Sequence, residues 1–482
     1  MDEGSGDVVR RERFSGGPAR GFLSSMGADK RIFEADLAVD RAHVVMLAEQ
    51  GIVSEEEAGE ILGALDEVEA AGYDALPEGE DVHAAIETAV IDSIGPVGGK
   101  MHTARSRNDE VATCIRYRLR EDLIEALEST LAFREALVEA AEDHTETLMP
   151  GYTHLQPAQP TTVAHWLLSY EGAVARDTER LLDAYSRTNR CPLGAAAFAG
   201  TPFDIDRERT AELLGFESVV ENSMDASSTR DFLLETVSAL ATLATTLSGI
   251  AEDLILFSNK GYVDLSDDYA STSSIMPQKK NPDTLELVRA TAGDASSGLS
   301  GLLTTLKSLP RAYNRDLQRA TPHAWGTVDA VREAIEVAAG AVATADWDEG
   351  ELKTAAGEGF STATGVADAL ATAGLPFRTA HELVALASED GGDYEALDAA
   401  SEEVLDEPLD AHVPREAVES ALDPEESVAS RDSQGGPAPE AVEETLSAAR
   451  EAIVTDKGAV DDRREALDGA ATALDEEVRS YD

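Results

Sequence analysis

From Asp109 to Met149 the chain runs without a proline, and Val111, Ile115, Leu119, Leu123, Leu127 and Leu131 recur along it as one apolar stripe. That is the spacing of a single helix face, and a helix over this stretch is about 55–60 Å long, far beyond the globular mean. A rod of that length buries little by itself and has to lie among others like it. The chain supplies them. Val163–Tyr185, Arg230–Phe257, Asp283–Leu306 and Thr327–Asp346 carry the same periodicity, and Phe232, Leu233, Val237, Leu240, Leu243, Leu247, Ile250 and Leu254 line one of them. The expected fold is all-α, with a central bundle of long helices over 106–355 whose wide Ala/Leu faces call for association between chains.

Either side of the bundle the pattern shortens. Residues 1–105 read as a domain of short helices, one holding Arg41–Gln50 and another starting at Ser54, where Ser54 and Glu57 have capping-box spacing. Residues 356–482 read as a small C-terminal domain of shorter helices, broken at Gly374-Leu-Pro376 and Gly435-Gly-Pro-Ala-Pro439. Aromatics make up 5% of the 482 residues, so the cores must be aliphatic and alanine-packed. The net charge of −55 does not signal disorder, because disordered acidic chains lack recurring Leu, Ile and Val. Only eight of the 39 basic residues are lysine. A surface rich in Asp and Glu and stripped of Lys resembles those of proteins from salt-loving cytoplasms, where screening relieves self-repulsion. No basic patch offers itself to nucleic acid. No uninterrupted apolar run spans a bilayer, no apolar leader follows Met1, and two cysteines make no disulfide scaffold. A cytoplasmic protein with no membrane or nucleic-acid partner is expected.

Three polar stretches interrupt the helices. Gly98-Gly-Lys-Met-His-Thr-Ala-Arg-Ser-Arg-Asn-Asp109 gathers Lys100, Arg105 and Arg107 at the start of the long helix, where free N–H groups favour anions. A plain helix start, with Asn108 or Asp109 as cap, accounts for one of these residues but not for three cations and a histidine. Gly151-Tyr-Thr-His-Leu-Gln-Pro-Ala-Gln-Pro-Thr161 places His154 among Thr153 and Gln156, a setting for proton transfer, although a lone histidine is more often structural. Ser271-Thr-Ser-Ser-Ile-Met-Pro-Gln-Lys-Lys-Asn-Pro-Asp283 puts hydroxyls and two scarce lysines at a helix entrance, with Asn281 expected as N-cap and Pro282 at the first helical position. No P-loop, dinucleotide fingerprint or H-E-x-x-H is present, and His83 with Glu87 lacks a third metal ligand. A reaction on an anionic substrate without cofactor or metal is the inference.

Together the three segments resemble the argininosuccinate lyase branch of the fumarase/aspartase superfamily. Ser273-Ser-Ile-Met-Pro-Gln-Lys-Lys-Asn-Pro282 with Glu286 is similar to the superfamily's signature loop, and Gln278 is typical of that branch. Met46-Leu-Ala-Glu-Gln-Gly51, Leu375-Pro-Phe-Arg-Thr-Ala-His381 and Leu422-Asp-Pro424 extend the likeness over nearly the whole chain. The resemblance implies a homotetramer with a twenty-helix core and active sites each shared between three chains. It implies β-elimination of argininosuccinate to fumarate and arginine. By the same carry-over Ser273 is the base and His154 its acid counterpart, the reverse assignment being equally compatible, and Lys279 stabilises the alkoxide and the aci-carboxylate. Glu286 supports His154. Asn108, Thr153, Lys279 and Asn281 hold the succinyl carboxylates, and Arg107, Ser25, Tyr313 and Gln318 are further substrate contacts.

The chain departs from the pattern in places. Ala104 and Thr272 stand where the family usually has glycine, and Thr321 where it usually has a substrate-binding lysine, a cation that Arg319 or Arg315 would then supply. Two other readings compete: a superfamily lyase acting on a different succinyl substrate such as adenylosuccinate, and a non-enzymatic structural protein like the family's lens crystallins.

Overall fold

The computed structural model describes residues 18–481, so the first residues, on which the expectation of no leader rests, lie outside the described range. Three helices, α1 (Phe33–Glu49), α2 (Glu55–Ala71) and α3 (Val82–Ile94), form the N-terminal layer. The expected capping box at Ser54 is present: Ser54 Oγ accepts from the Glu57 N–H, and Glu57 accepts from the Ser54 N–H in return. The long rod is α4 (Arg107–Asp143), and its stripe from Ile115 to Leu131 is buried. Its cap is Ser106, not Asn108 or Asp109. Ser106 accepts from the Asn108 N–H, while Asp109 closes a capping box and also accepts from the Gly194 and Ala196 N–H groups at 2.9 and 2.7 Å.

Four more long helices complete the bundle: α5 (Val163–Thr188), α6 (Asp231–Lys260), α7 (Asp283–Leu306) and α8 (Thr321–Ala343). Helix α6 packs on α5, α7 and α8, and α8 closes back onto α4. Among the described residues only α6 is long and apolar enough to cross a membrane, and its apolar side lies within the bundle core. Helix α7 buries Leu285, Val288, Ala295, Gly298 and Leu302, yet leaves Leu287 and Leu303 exposed at 72% and 52%. These two leucines flank the buried stripe on either side, and the outward face between them carries Glu286, Gly293, Ser297, Ser300 and Thr304.

A separate small core comprises α9 (Ala363–Thr372), α10 (Phe377–Glu389), α11 (Tyr394–Leu405) and α12 (Arg415–Leu422), followed by the short α13 (Pro424–Ala429). The sequence reading took everything after 356 as short helices. The structure instead ends in α14 (Pro439–Arg479), 41 residues long and longer than α4. Its buried residues, among them Val442, Leu446, Ile453, Val460 and Leu474, join the main core, not the small one. The apolar positions are sparse and the intervening residues charged, so the periodicity that marks the other rods is diluted.

Charge holds α14 in place. It runs alongside α4, and Glu128, Glu135 and Glu142 pair with Arg464, Lys457 and Arg450 in turn. Both series step by seven residues in opposite directions, so the two helices are antiparallel. Between the rungs, the buried Arg134 bridges Glu171 at 2.9 Å and Asp456 at 2.6 Å.

Candidate active site

The start of α4 forms one wall of a cavity of about 720 Å³. Five of the expected residues line it: Ser25, Arg107, Asn108, Tyr313 and Gln318. Ser25 donates to Asp29 at 2.6 Å, and Asp29 also accepts from the Val82 N–H. Arg107 is held by Asp81 at 2.8 Å, which caps α3 through the Ala84 N–H. Asn108 donates to the Ala197 carbonyl. Of the two arginines considered as replacements for the missing lysine, Arg315 lines the cavity and pairs with Glu80, and Thr321 stands beside it. Arg319 is not in the wall.

Two charged lining residues, Arg230 and Asp29, carry no signal in the sequence. Arg230, at the entrance of α6, is buried, donates only to backbone carbonyls, and has no carboxylate partner among the described residues. Burial pushes its guanidinium down to about 10. An unpaired buried cation favours an anionic ligand. Burial raises the Asp29 carboxyl to about 6, against the His83 charge and the Ser25 hydrogen bond. His83 carried only a weak metal reading, and its partner is different: its Nδ1 faces Asp36 at 2.8 Å, while Glu87 faces His102 at 3.4 Å. Burial would lower the His83 pKa, but Asp36 and Glu110 outweigh it and hold it well above the usual value. Arg105 sits between Asp40 at 2.5 Å and Glu110 at 3.1 Å. Asp36, Asp40 and Glu110 converge within 4.8 Å, and Arg105 with protonated His83 supplies the compensating charge. This network fixes the turn that delivers Arg107 and Asn108. In that turn Ala104 takes φ 66°, a left-handed conformation costing an alanine roughly 1–2 kcal/mol. Thr272, the other departure from glycine, lies in a strand and bears no such cost.

The other two segments lie elsewhere. Strands β1 (Leu148–Thr153) and β2 (Gln156–Thr162) form a hairpin beyond the C-terminal end of α4. A bulge at Gly151 leaves no room for a side chain, since a Cβ there would stand 2.5 Å from the Gln159 carbonyl oxygen. His154 and Leu155 make the two-residue turn with φ of 57° and 59°. Such turns favour Asn-Gly, so the bulky pair is held there against preference. Thr153 and His154 are exposed at its tip.

The third segment is a loop pinched by β3 (Ser271–Thr272) and β4 (Lys280–Asn281). Ser273 Oγ accepts from the Ile275 and Met276 N–H groups at 3.3 and 3.1 Å. Asn281 does not cap α7 as expected. It pairs with Ser271 in the strand ladder, and Pro282 occupies the cap position with no side-chain bond. Lys280 is tied to Asp264 and Asp267, whereas Lys279 has no ion-pair partner among the described residues. Glu286 is exposed in the first turn of α7, and no hydrogen bond or ion pair joins it to His154 among the described residues.

The chain therefore carries its polar segments at opposite ends. Thirty-seven helical residues separate Arg107 from Asp143, about 55 Å. The hairpin follows the far end of α4, and the 273–279 loop lies beyond the other end of α7 from Tyr313 and Gln318.

A lyase family model matches residues 22–296, and a model of the argininosuccinate lyase C-terminal region matches residues 360–429. An EDDS lyase variant solved with bound fumarate superposes with a TM-score of 0.86 at 32% identity, over 99% of this chain and 97% of that one. A class II fumarase from Schistosoma mansoni shares the fold, with a TM-score of 0.72 at 16% identity over 87% and 96% of the two chains. The fold and lyase match define a member of the fumarase/aspartase superfamily. Argininosuccinate lyases of Natronomonas pharaonis and Halobacterium salinarum are 72% and 66% identical to this chain, over all of it and 98% and 100% of their own lengths. The chain belongs to the argininosuccinate lyase family, carbon–nitrogen lyases that release fumarate from argininosuccinate and leave arginine.

Proposed function

We propose that the elimination takes place where the cavity of one chain meets the hairpin and the 273–279 loop of two others in a cytoplasmic homotetramer. The observation that carries this reading is the placement of the three segments at opposite ends of the rods. Asn108, Arg107 and Thr153 hold the succinyl carboxylates with Asn281, and the unpaired Arg230 adds a cation to that set. Asp29, Glu80 and Asp81 complement the substrate's guanidinium, and Ser25, Tyr313 and Gln318 orient that half. Ser273 takes the proton next to the succinyl carboxylate, Lys279 neutralises the aci-carboxylate that results, and His154, supported by Glu286, protonates the departing nitrogen. The reverse assignment of Ser273 and His154 uses the same geometry.

Complementation tests the shared site. Ser273→Ala and Asn108→Ala should each lose most fumarate release as pure assemblies. Dissociated, mixed and reassembled, they should recover a substantial fraction, because some sites draw an intact Ser273 from one chain and an intact Asn108 from another. No recovery despite mixed assembly would place the whole site within one chain.

A further inference from the structure

A second cavity, of about 660 Å³, opens between α9, α12, α13 and the segment after α13, all in or beside the small core and outside the active-site segments. Its walls are small residues on α9 and α12, and two polar groups face it. Ser427 is 2% exposed, and its Oγ is buried without a hydrogen-bond partner. Arg431 has one guanidinium nitrogen, Nη2, buried in the same condition. In a chain with 94 acidic residues, this arginine has no ion pair among the described residues. Both atoms stand around Gly365: a Cβ there would lie 3.0 Å from Ser427 Oγ and 3.7 Å from Arg431 Nη2. Unpaired donors of this kind, one of them charged, are costly unless an acceptor is supplied. Exposed Asp368, Glu426 and Asp432 lie on the same cavity, so its outer part is anionic.

We propose that this cavity binds a small amino acid with a cationic side chain, its carboxylate on Arg431 and Ser427 and its cationic end toward Asp368, Glu426 and Asp432. The two charge signs set at different depths favour such a ligand over a simple anion or a simple cation. The arginine released by the reaction has this chemistry, which makes the small domain a place where product concentration is sensed.

Hydrogen–deuterium exchange on the full-length protein in concentrated KCl reads the site separately from the catalytic cavity. L-arginine should slow exchange in 365–373 and 427–437. Arg431→Met should weaken that protection by at least about tenfold in arginine concentration, the scale of one lost charge-assisted contact. Gly365→Ala, which crowds Ser427 without removing a charge, should weaken it as well. Both variants should keep fumarate release near wild type, and a loss of turnover in both would mark Arg431 and Gly365 as structural and overturn the assignment. Agmatine, which lacks the carboxylate, and fumarate, which lacks the cation, should leave these segments unprotected. Protection by either alone, or arginine protection that survives Arg431→Met, would equally overturn it.

Discussion

Lys279 and Lys280 are neighbours in sequence and opposites in setting. Lys280 is committed to Asp264 and Asp267, while Lys279, on the loop that carries Ser273, has no ion-pair partner among the described residues. Lys279→Met should therefore cost turnover heavily, by about 10² or more if it stabilises developing charge, and Lys280→Met much less. Steady-state assays of fumarate release decide it, and equal mild losses would remove Lys279 from the mechanism. Asp29 supplies a pH test. Its folded carboxyl holds its proton up to about 6, against 3.8 as the ordinary value. The stability it contributes is present below pH 3.8 and is lost as pH rises through about 6. Asp29→Asn should remove that slope, worth at most about 3 kcal/mol. Denaturant titrations at the two ends of the window, in concentrated salt, would show wild type losing more than the variant. A difference unchanged by the substitution would mean that Asp29 has ordinary acidity.

At the scale of elements, the apolar rods were legible and the polar one was not. The stripe of α4 and the apolar runs of α5 to α8 announce themselves because the buried face is continuous, and α7 matches its expected range from Asp283 to Leu306. Helix α14 buries few apolar residues for its length and adds ion pairs to α4, and pairing across 300 residues leaves no local periodicity to read. The capping box at Ser54 was read correctly, but two later caps were not, for a related reason. Asn108, Asp109 and Asn281 are good capping residues, but Ser106 took one role and a strand pair recruited Asn281. The motif residues were found by resemblance, whereas Arg230 and Asp29 lie in no pattern and became visible only through burial. The ladder between α4 and α14 can be tested directly. Lys457→Glu puts like charges at the middle rung and should destabilise the chain by roughly 0.5–1 kcal/mol at moderate salt. Adding Glu135→Lys restores the pair with its signs exchanged and should recover most of it. A double-mutant cycle in denaturant measures this, and no recovery would mean the rung contributes nothing.

For the whole molecule the governing quantity is charge. Each chain carries −55, and a homotetramer brings four such shells together. At low ionic strength the Debye length is about 30 Å and repulsion acts across whole subunits; in molar salt it shrinks to about 3 Å. If the site is shared between chains as proposed, dilution from concentrated salt should therefore dissociate the assembly and abolish fumarate release in parallel. Light scattering and activity followed through one salt titration test this, and an intact, active tetramer in dilute buffer would assign the acidity another purpose.

The ladder of α4 and α14 has a consequence for shape. Seven residues fall just short of two turns of a straight helix, so successive rungs drift by about 20° around each rod. A left-handed winding of one rod about the other would cancel that drift, and long Arg, Lys and Glu side chains take up what remains over the rungs at Glu128, Glu135 and Glu142. Slipping by one rung would slide them about 10 Å and leave end charges facing nothing. The rungs thus hold the two longest helices in one register, and the far end of α4, at Arg107, is a wall of the cavity.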